Sequence, residues 1–279
     1  MAKPLILVTN DDGITAKGIA SLVKVAAEIG EVIVVAPDSP QSAQGHALSL
    51  ELPVFVKESD VFPEHEAYEC SGTPVDCVKL AKSVLLKGRT PDLCISGINH
   101  GSNVAINILY SGTLSAAMEA SIEGIPSIGF SLLDFHADAD FSAAEVVARQ
   151  LILDVLENGM AEGSLYNVNI PKLPLEAIRG IKVCRQAEAR WIEEYVEAKD
   201  PRGRTYYWLT GKFVNEDERA DTDVKALEDG FVSLVPSMHN LTNEPALEPL
   251  RARALEWKLA EKLSNEEEGS SSGQKMEQF

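Results

Sequence analysis

The N-terminal part of the chain alternates between continuous hydrophobic runs and a segment with helical spacing of its apolar positions. Residues 5–9 (LILVT) and 31–36 (EVIVVA) are apolar runs of the kind that form buried parallel strands. Between them, residues 14–29 place apolar side chains at helical spacing, and the pattern ends at Gly30. A strand, a helix and a second strand in this order predict a βαβ unit.

The same alternation continues through most of the chain. It predicts helices at 75–86, 113–123 and 142–157, and strands at 92–96, 125–131 and 165–170. Strands that alternate with helices are typical of a parallel sheet covered by helices on both faces. We therefore expect an α/β fold with a Rossmann-like three-layer core and a mainly parallel sheet.

The pattern changes after about residue 180. Residues 190–199 and 204–210 flank a DPRG turn and predict a projecting β-hairpin within a smaller C-terminal part. The hairpin contains five aromatic residues, Trp191, Tyr195, Tyr206, Tyr207 and Trp208. Because aromatic side chains dominate protein interfaces, we expect an oligomer contact here. The alternative is that the hairpin packs on its own domain.

The end of the chain predicts one more helix and a polar tail. Leucines recur at helical spacing over residues 246–263, and residues 264–279 are of low complexity, which predicts disorder. The chain is therefore expected to have three parts. These are a Rossmann-like core with the candidate chemistry at 1–180, a hairpin and helix region for oligomerisation at 181–263, and a disordered tail at 264–279.

Composition excludes several classes of function. The chain has 43 acidic and 25 basic residues and a formal net charge of -18, which argues against binding to nucleic-acid polymers. No apolar run approaches the roughly 20 residues of a membrane helix, and the N-terminal segment is too short for a signal peptide. The cysteines form no CxxC pair, so we expect a reducing, cytoplasmic location.

The first predicted strand ends in two adjacent carboxylates. Asp11 and Asp12 precede Gly13, at the carboxyl end of a parallel strand, which is where ligands of open α/β sheets bind. Two adjacent carboxylates repel each other, and a divalent cation between them would relieve the repulsion. The alternative is that one Asp caps the following helix and the other is solvated.

Two more polar loops follow the next parallel strands. In the loop at 38–47, the Ser42 hydroxyl can hold a cation or a phosphate, and His46 is a candidate substrate contact. After the strand at 92–96, the side-chain oxygens of Asn99 or Asn103 suit a hard cation.

A helix N-terminus completes the candidate chemistry. Ser111, Gly112 and Thr113 open a predicted helix and offer hydroxyls and backbone N–H groups to an anion. A second SGT, at 71–73, precedes Pro74, and here helix capping is the better explanation. The sequence lacks dinucleotide-binding GxGxxG, P-loop, HExxH and GxSxG motifs, so cofactor-dependent redox chemistry and a serine triad have no support.

Taken together, these segments resemble the SurE family, the survival proteins that act as metal-dependent 5'/3'-nucleotidases. The resemblance is carried by NDDG at 10–13, APDSPQSAQGHA at 36–47, SGTPVDCV at 71–78, PDLCISGINHGSN at 91–103 and YSGTLSAAMEA at 110–120. Weaker similarity extends it to about residue 240. Several of these motifs are loose when taken singly, but all of them in this order are highly specific.

The resemblance implies one divalent cation per subunit, Mg²⁺ or Mn²⁺, with four ligands: Asp11, Asp12, Ser42 and Asn99. It also implies that the substrate phosphate faces Asn103 and the turn formed by Ser111, Gly112 and Thr113. The family fold implies a homodimer or homotetramer that exchanges the hairpin and the C-terminal segment between subunits.

One departure from the family pattern concerns the stretch between Asn103 and Ser111. Many relatives have Gly and then Asp there, where this chain has Ala105, Ile106 and Asn107. If that Asp supports the site, the ligands must be oriented differently in this chain. Asn107 is therefore left out of the predicted catalytic set.

The predicted enzyme is a 5'-nucleotidase, a phosphoric monoester hydrolase. It would hydrolyse nucleoside 5'- and 3'-monophosphates with a metal-activated water, with Asp11 and Asp12 as the catalytic residues, and it could also accept short polyphosphate. A phospho-aspartate route is disfavoured because haloacid-dehalogenase phosphatases use DxD and this chain has DD. The alternative from another class is a non-catalytic nucleotide- or metal-sensing oligomeric protein.

Overall fold

The computed structural model describes residues 3–253 and residue 255. One compact unit ends at His239, and a second begins at Asn240. The first unit contains a nine-stranded sheet and a two-stranded hairpin. The strands are β1 (Leu5–Thr9), β2 (Glu31–Pro37), β3 (Val56–Glu58), β4 (Glu66–Cys70), β5 (Leu93–His100), β6 (Ser127–Leu132), β7 (Ser164–Ile170), β8 (Ile181–Val183), β9 (Ala189–Lys199), β10 (Thr205–Asn215) and β11 (Val232–Met238).

The large sheet is mainly parallel, as predicted. Its strand order is β3-β4-β2-β1-β5-β6-β7-β11-β8. Neighbouring strands are parallel except for the pairs β3 with β4 and β7 with β11. The strands β2, β1, β5 and β6 therefore end at one edge of the sheet, next to each other. The loops that carry the candidate chemistry leave the sheet at this edge.

The α-helices are α1 (Lys17–Ile29), α2 (Pro74–Leu80), α3 (Gly112–Ile122), α4 (Ser142–Asn158), α5 (Asp223–Glu228) and α6 (Glu244–Arg251), the last in the second unit. A π-helical turn at Ala81–Leu85 continues α2, and a 3-10 helix at Ala105–Leu109 follows β5. The capping explanation for the SGT at 71–73 is confirmed. Thr73 is the N-cap of α2, with Asp76 completing a capping box and Pro74 in the first turn.

Helices cover both faces of the sheet. α1 and α4 pack with Ile6 and Val8, whereas α2 and α3 pack with Leu5 and Leu7 of the same strand. Successive side chains of β1 thus enter opposite hydrophobic layers, and all of them are buried. This arrangement explains why the strand is a continuous apolar run, and it confirms the predicted α/β fold with helices on both faces.

Several elements differ from the sequence prediction. α1 begins at Lys17 instead of residue 14, and β5 continues past residue 96 to His100. β3, β4, β8, β11 and α5 were not predicted at all. β4 (EAYEC) contains two glutamates and no continuous apolar run, and it lies next to the edge strand β3. β11 contains Pro236, which lies beyond the stretch that β8 pairs with, so its missing N–H removes no bond on that side.

The predicted hairpin is present, with β9 and β10 paired antiparallel over their full length. Near its base, Trp191 packs edge-on against Phe213, and its Nε1 donates a hydrogen bond of 2.7 Å to Asn107 Oδ1. Farther out, Tyr195 and Trp208 are 69% and 63% exposed. The base of the hairpin therefore packs on its own unit, while its outer part presents aromatic side chains to the surroundings.

Some predictions concern residues beyond the described part of the chain. The predicted helix at 246–263 begins as α6, and residues 254 and 256–279, including the predicted tail, lie outside the described residues. Cys70, Cys77, Cys94 and Cys184 are all buried and free. Among the described residues, we find no helix with the length and apolar character needed to cross a membrane.

Candidate active site

Asp11 and Asp12 lie directly after β1, between the ends of β2 and β5. Asp11 is buried, with 7% of its surface exposed, and Asp12 is half-buried. Gly13 continues the turn with φ +95°, a conformation that favours glycine. The N-cap of α1 is Ala16, with no side-chain capping bond, so neither Asp caps this helix. The capping alternative for the Asp pair is therefore wrong.

The N-terminus of α3 lies against Asp11. The Thr113 hydroxyl donates a hydrogen bond to Asp11 Oδ1. A Cβ on Gly112 would lie 2.7 Å from Asp11 Cβ and 3.0 Å from Oδ2, so only glycine permits this approach. The Ser111 hydroxyl accepts a hydrogen bond from Leu114 N at 3.1 Å and caps the helix. The predicted phosphate-binding turn thus adjoins the predicted metal ligands.

The loop with Ser42 is attached to the same place. Gln41 N donates a hydrogen bond of 2.8 Å to the carbonyl of Asp11, and Gly45 N donates one of 3.2 Å to the carbonyl of Tyr110. Ser42 itself is exposed. The backbone next to Ser42 therefore contacts Asp11, and Ser42 itself is accessible to a ligand.

Asn99 reaches the site from the end of β5. The backbone N–H of the next residue, His100, donates to Asp12 Oδ2 at 3.4 Å, which places Asn99 beside Asp12. Asn99 Nδ2 donates to the carbonyl of Gly101 at 2.9 Å, so the side-chain oxygen is the atom left to coordinate. Backbone contacts thus bring the three loops that carry Asp11, Asp12, Ser42 and Asn99 to one sheet edge, and their joint role as ligands stays a prediction.

The electrostatics of the pair favour a cation. Burial raises the pKa of Asp11 to about 6; the Thr113 hydrogen bond opposes this shift, and the charge of Asp12 adds to it. Burial also raises the pKa of Asp12, against the hydrogen bond from the His100 amide. A neighbouring positive charge stabilises the ionised form of a buried carboxylate with a raised pKa. The site is therefore suited to binding a cation.

The donor set indicates which kind of cation fits. In the part of the chain that the structure describes, no three His, Cys, Asp or Glu side chains form a metal-binding group. The available donors are two carboxylates, a hydroxyl and an amide oxygen. Hard divalent cations such as Mg²⁺ and Mn²⁺ take oxygen ligands of this type and keep several waters. The residues present fit such an ion better than zinc.

Asn103 lies at the centre of a buried polar network. Its backbone N donates to Asn169 Oδ1 at 2.7 Å, and its Nδ2 donates to the Ser131 hydroxyl at 2.8 Å. Asn167 Nδ2 donates to the Asn103 carbonyl at 2.8 Å. An amide nitrogen carries two hydrogens, so one N–H of Asn103 remains for a phosphate oxygen. Its phosphate-binding role stays a prediction.

The Ser42 loop has a buried anchor that was not predicted. His46 Nε2 lies 2.8 Å from Glu119 Oε2, and Lys79 Nζ lies 2.5 Å from Glu119 Oε1. Glu119 belongs to α3 and is 3% exposed. Burial alone would raise its pKa, but His46 and Lys79 hold the pKa below its ordinary value. His46 is a candidate substrate contact for which a structural role is the more common alternative, and here it fastens the loop to α3.

A second unpredicted carboxylate fixes the segment after β5. Asp223, at the start of α5, is fully buried. Its Oδ2 accepts from Ala105 N at 2.9 Å, and its Oδ1 accepts from Ala187 N at 3.0 Å. One side chain therefore holds both the 3-10 helix between Asn103 and Ser111 and the chain that leads into the hairpin.

Asp11 predicts a pH dependence for the metal-free protein. Its raised pKa means that the folded state keeps a proton that the unfolded state has released, so stability falls as pH rises from about 4 to about 6. The loss of stability over the whole range amounts to about 3 kcal/mol, of which about half falls above pH 5. We expect the free energy of unfolding of Asp11→Asn, relative to that of the wild type, to be higher at pH 7.5 than at pH 5. Urea unfolding in EDTA at the two pH values would measure it. An equal gap between the two proteins at both pH values would contradict this.

Comparison with known proteins gives the family. A family model described as Survival protein SurE matches residues 6–193. A 5'-nucleotidase SurE of Christiangramia forsetii is 56% identical over 255 residues, which cover 91% of this chain and 98% of that protein. A 5'-nucleotidase SurE of Cytophaga hutchinsonii is 54% identical over 258 residues, covering 92% and 98%.

A solved structure agrees with these relatives. The crystal structure of the SurE protein from Aquifex aeolicus matches with a TM-score of 0.78 and 37% sequence identity, and the match covers 90% of this chain and 100% of that chain. Sequence and structure thus agree over nearly the full length of the relatives. The resemblance seen in the motifs is confirmed, and the chain belongs to the SurE family.

Proposed function

We propose that the protein is a metal-dependent 5'-nucleotidase that hydrolyses nucleoside 5'- and 3'-monophosphates to nucleoside and phosphate. The observation that carries this proposal is the Asp11–Asp12 pair at the carboxyl edge of the sheet, with the buried Asp11 against the N-terminus of α3. The 5'-nucleotidase assignment is supported by the names of relatives at 56% and 54% identity. The metal requirement and any hydrolysis of short polyphosphate are parts of the proposal.

Asp11, Asp12, Ser42 and Asn99 would hold one Mg²⁺ or Mn²⁺ per subunit. When bound, such an ion would polarise a phosphoryl oxygen and lower the pKa of water for in-line attack. The half-buried Asp12, whose Oδ2 has only a 3.4 Å amide contact, is the carboxylate better placed to accept a proton from water. Asp11 is held by Thr113 and serves mainly to anchor the ion.

The phosphate would be bound by the start of α3 together with Asn103. The backbone N–H groups at a helix N-terminus carry partial positive charge and stabilise negative charge on a transferring phosphoryl group. Ser111, Gly112 and Thr113 present this end of the helix beside Asp11. The remaining N–H of Asn103 would orient one more phosphate oxygen.

Phosphate release from a panel of nucleoside monophosphates, p-nitrophenyl phosphate and short polyphosphate tests the proposal, with Mn²⁺, with Mg²⁺ and with EDTA. We expect release with either metal and none with EDTA. The alternative function, a nucleotide or metal sensor, predicts saturable nucleotide binding without release. Folded protein that binds nucleotides but releases no phosphate under any of these conditions would decide for the sensor.

We also propose a homodimer or homotetramer in which the hairpin and the C-terminal segment contact a second copy. The exposed Tyr195 and Trp208 on the outer hairpin support an aromatic interface. A cytoplasmic location, favoured by the free cysteines, and a boundary at residue 180 between core and oligomerisation region stay predictions. Sedimentation equilibrium of the wild type and a Trp208→Ser variant would test the assembly.

A further inference from the structure

An aromatic side chain stands open next to the candidate active site. Among the described Phe, Tyr and Trp side chains, Phe135 is the most exposed, at 79%. It lies in the turn that follows β6, and β6 pairs with β5, whose end carries Asn99. One exposed ring is ordinary on a protein surface, and it is the place of Phe135 beside the predicted ligands that makes it a candidate for binding. Its position at the carboxyl edge of the sheet points to the ligand.

The Phe135 ring rests on the loop that carries the predicted ligands. A Cβ on Gly101 would lie 2.2 Å from Cε1 and 2.8 Å from Cζ of the ring, so the absence of a side chain lets the ring settle there. The carbonyl of Gly101 accepts the hydrogen bond from Asn99. The preceding residue, His100, donates to Asp12. Only His100 thus lies between Gly101, on which the ring rests, and the carboxylate of Asp12.

The turn beneath Phe135 is held firmly although the ring is exposed. Asp134 Oδ2 lies 3.0 Å from Lys172 Nζ, and Asp134 Oδ1 accepts from His136 N at 3.1 Å. The carbonyl of Leu132 accepts from both Asp134 N and Gly101 N, at 2.7 and 2.8 Å. A ring on a fixed support loses little conformational freedom when a ligand stacks on it.

We propose that Phe135 is the stacking platform for the nucleobase of the substrate. This inference rests on the proposed function, because it takes the phosphate to lie at Asp11, Asp12 and the start of α3. In a nucleoside monophosphate the ribose separates the base from the phosphate, and Phe135 lies along the same sheet edge, in the turn after β6. Stacking on an aromatic face accepts every base. The site should therefore prefer nucleotides to sugar phosphates and discriminate weakly among bases.

The test compares adenosine 5'-monophosphate with ribose 5-phosphate, which has the same phosphate and sugar but no base. In Phe135→Leu, the ratio of the two kcat/KM values should fall about tenfold in favour of the sugar phosphate, as expected for the loss of one base–aromatic stacking contact. Phe135→Trp should restore the ratio. The matched control is Phe55→Leu, since Phe55 is 71% exposed on the other flank of the sheet, and it should leave the ratio unchanged.

Calorimetric binding of the same two compounds keeps this test separate from the proposed function. If the wild type binds nucleotide but releases no phosphate, hydrolysis is wrong, and the affinity ratio in Phe135→Leu still decides whether the base stacks on Phe135. An unchanged ratio in Phe135→Leu, or a fall in Phe55→Leu instead, would overturn the inference. Because Phe135 is exposed, its variants should unfold at the wild-type temperature, which circular dichroism can verify.

Discussion

Asp12→Asn is expected to lower kcat/KM for a nucleoside 5'-monophosphate by about a thousandfold or more in saturating Mn²⁺. The change removes the charge that, in the proposed function, both binds the ion and accepts a proton, while it keeps the shape of the side chain. The Asn oxygen can still accept the hydrogen bond from His100 N, so the loop should keep its position. Initial rates of phosphate release over a range of Mn²⁺ concentrations would measure the effect.

Asp38→Asn is the matched control for this variant. Asp38 is an exposed carboxylate at the start of the Ser42 loop, and its Oδ1 accepts a hydrogen bond from the Ser39 hydroxyl. Removing its charge changes the net charge of the chain by the same amount as Asp12→Asn. We expect its activity to stay within about twofold of the wild type because it touches no proposed ligand. Comparable losses in both variants would argue for a general electrostatic effect and against a metal ligand.

Gly18→Ala is expected to destabilise the protein by about 3 kcal/mol or more. Gly18 lies in α1, and a Cβ there would come 1.9 Å from the carbonyl oxygen of Ile98 and 2.9 Å from its carbonyl carbon. The obstacle is backbone, so α1 or β5 must move. In an unobstructed helix the same change stabilises by up to about 1 kcal/mol. The predicted change in the free energy of unfolding therefore has the opposite sign to the usual effect of Gly→Ala in a helix. Urea unfolding would measure it.

Lys17→Ala, one residue earlier in the same helix, is the control for Gly18→Ala. Lys17 is exposed, and we expect its free energy of unfolding to stay within about 0.5 kcal/mol of the wild type. Wild-type stability in Gly18→Ala would contradict the close contact between α1 and β5. Since Ile98 precedes Asn99, a partly folded Gly18→Ala protein should also need more Mn²⁺ for half-maximal phosphate release.

The central part of the fold could be predicted because its signals are local. β1 and β2 are continuous apolar runs, and the helical spacing of α1 lies between them. The same reasoning predicts the loops that carry the candidate site, since parallel strands place the residues that follow them at one edge. The choice of Asp11, Asp12, Ser42 and Asn99 as ligands comes from the resemblance to the SurE family. Asp11 and Asp12 were conspicuous because two adjacent carboxylates at the end of a buried strand need a physical reason.

The residues that hold the site in place could not be predicted, because their partners are distant in the sequence. Glu119 looks like any polar residue of a helix until His46 and Lys79 are seen beside it. Asp223 accepts hydrogen bonds from the segment at residue 105 and from Ala187, over separations of 118 and 36 residues. Such buried polar contacts follow from the tertiary fold and have no periodic pattern.

Phe135 illustrates a third case, in which the sequence gives no signal but the structure does. In the sequence, a single Phe after an apolar strand does not indicate a binding site. Its candidate role comes from two contacts in the structure. The ring lies on Gly101, which has no side chain, and the ion pair between Asp134 and Lys172 fixes the turn. Such a role can be inferred only when the structure shows that the loop after β5 and the turn after β6 are in contact.

The most direct test of the account is phosphate release from adenosine 5'-monophosphate by chelator-stripped protein, as Mn²⁺ is added back in steps. We predict no release before the first addition, and a rise that levels off at one equivalent of Mn²⁺ per subunit. That result would tie hydrolysis to a single ion held by the Asp11 and Asp12 pair. Full-rate release from the stripped protein would contradict the account, because the reaction would then need no cation at this site.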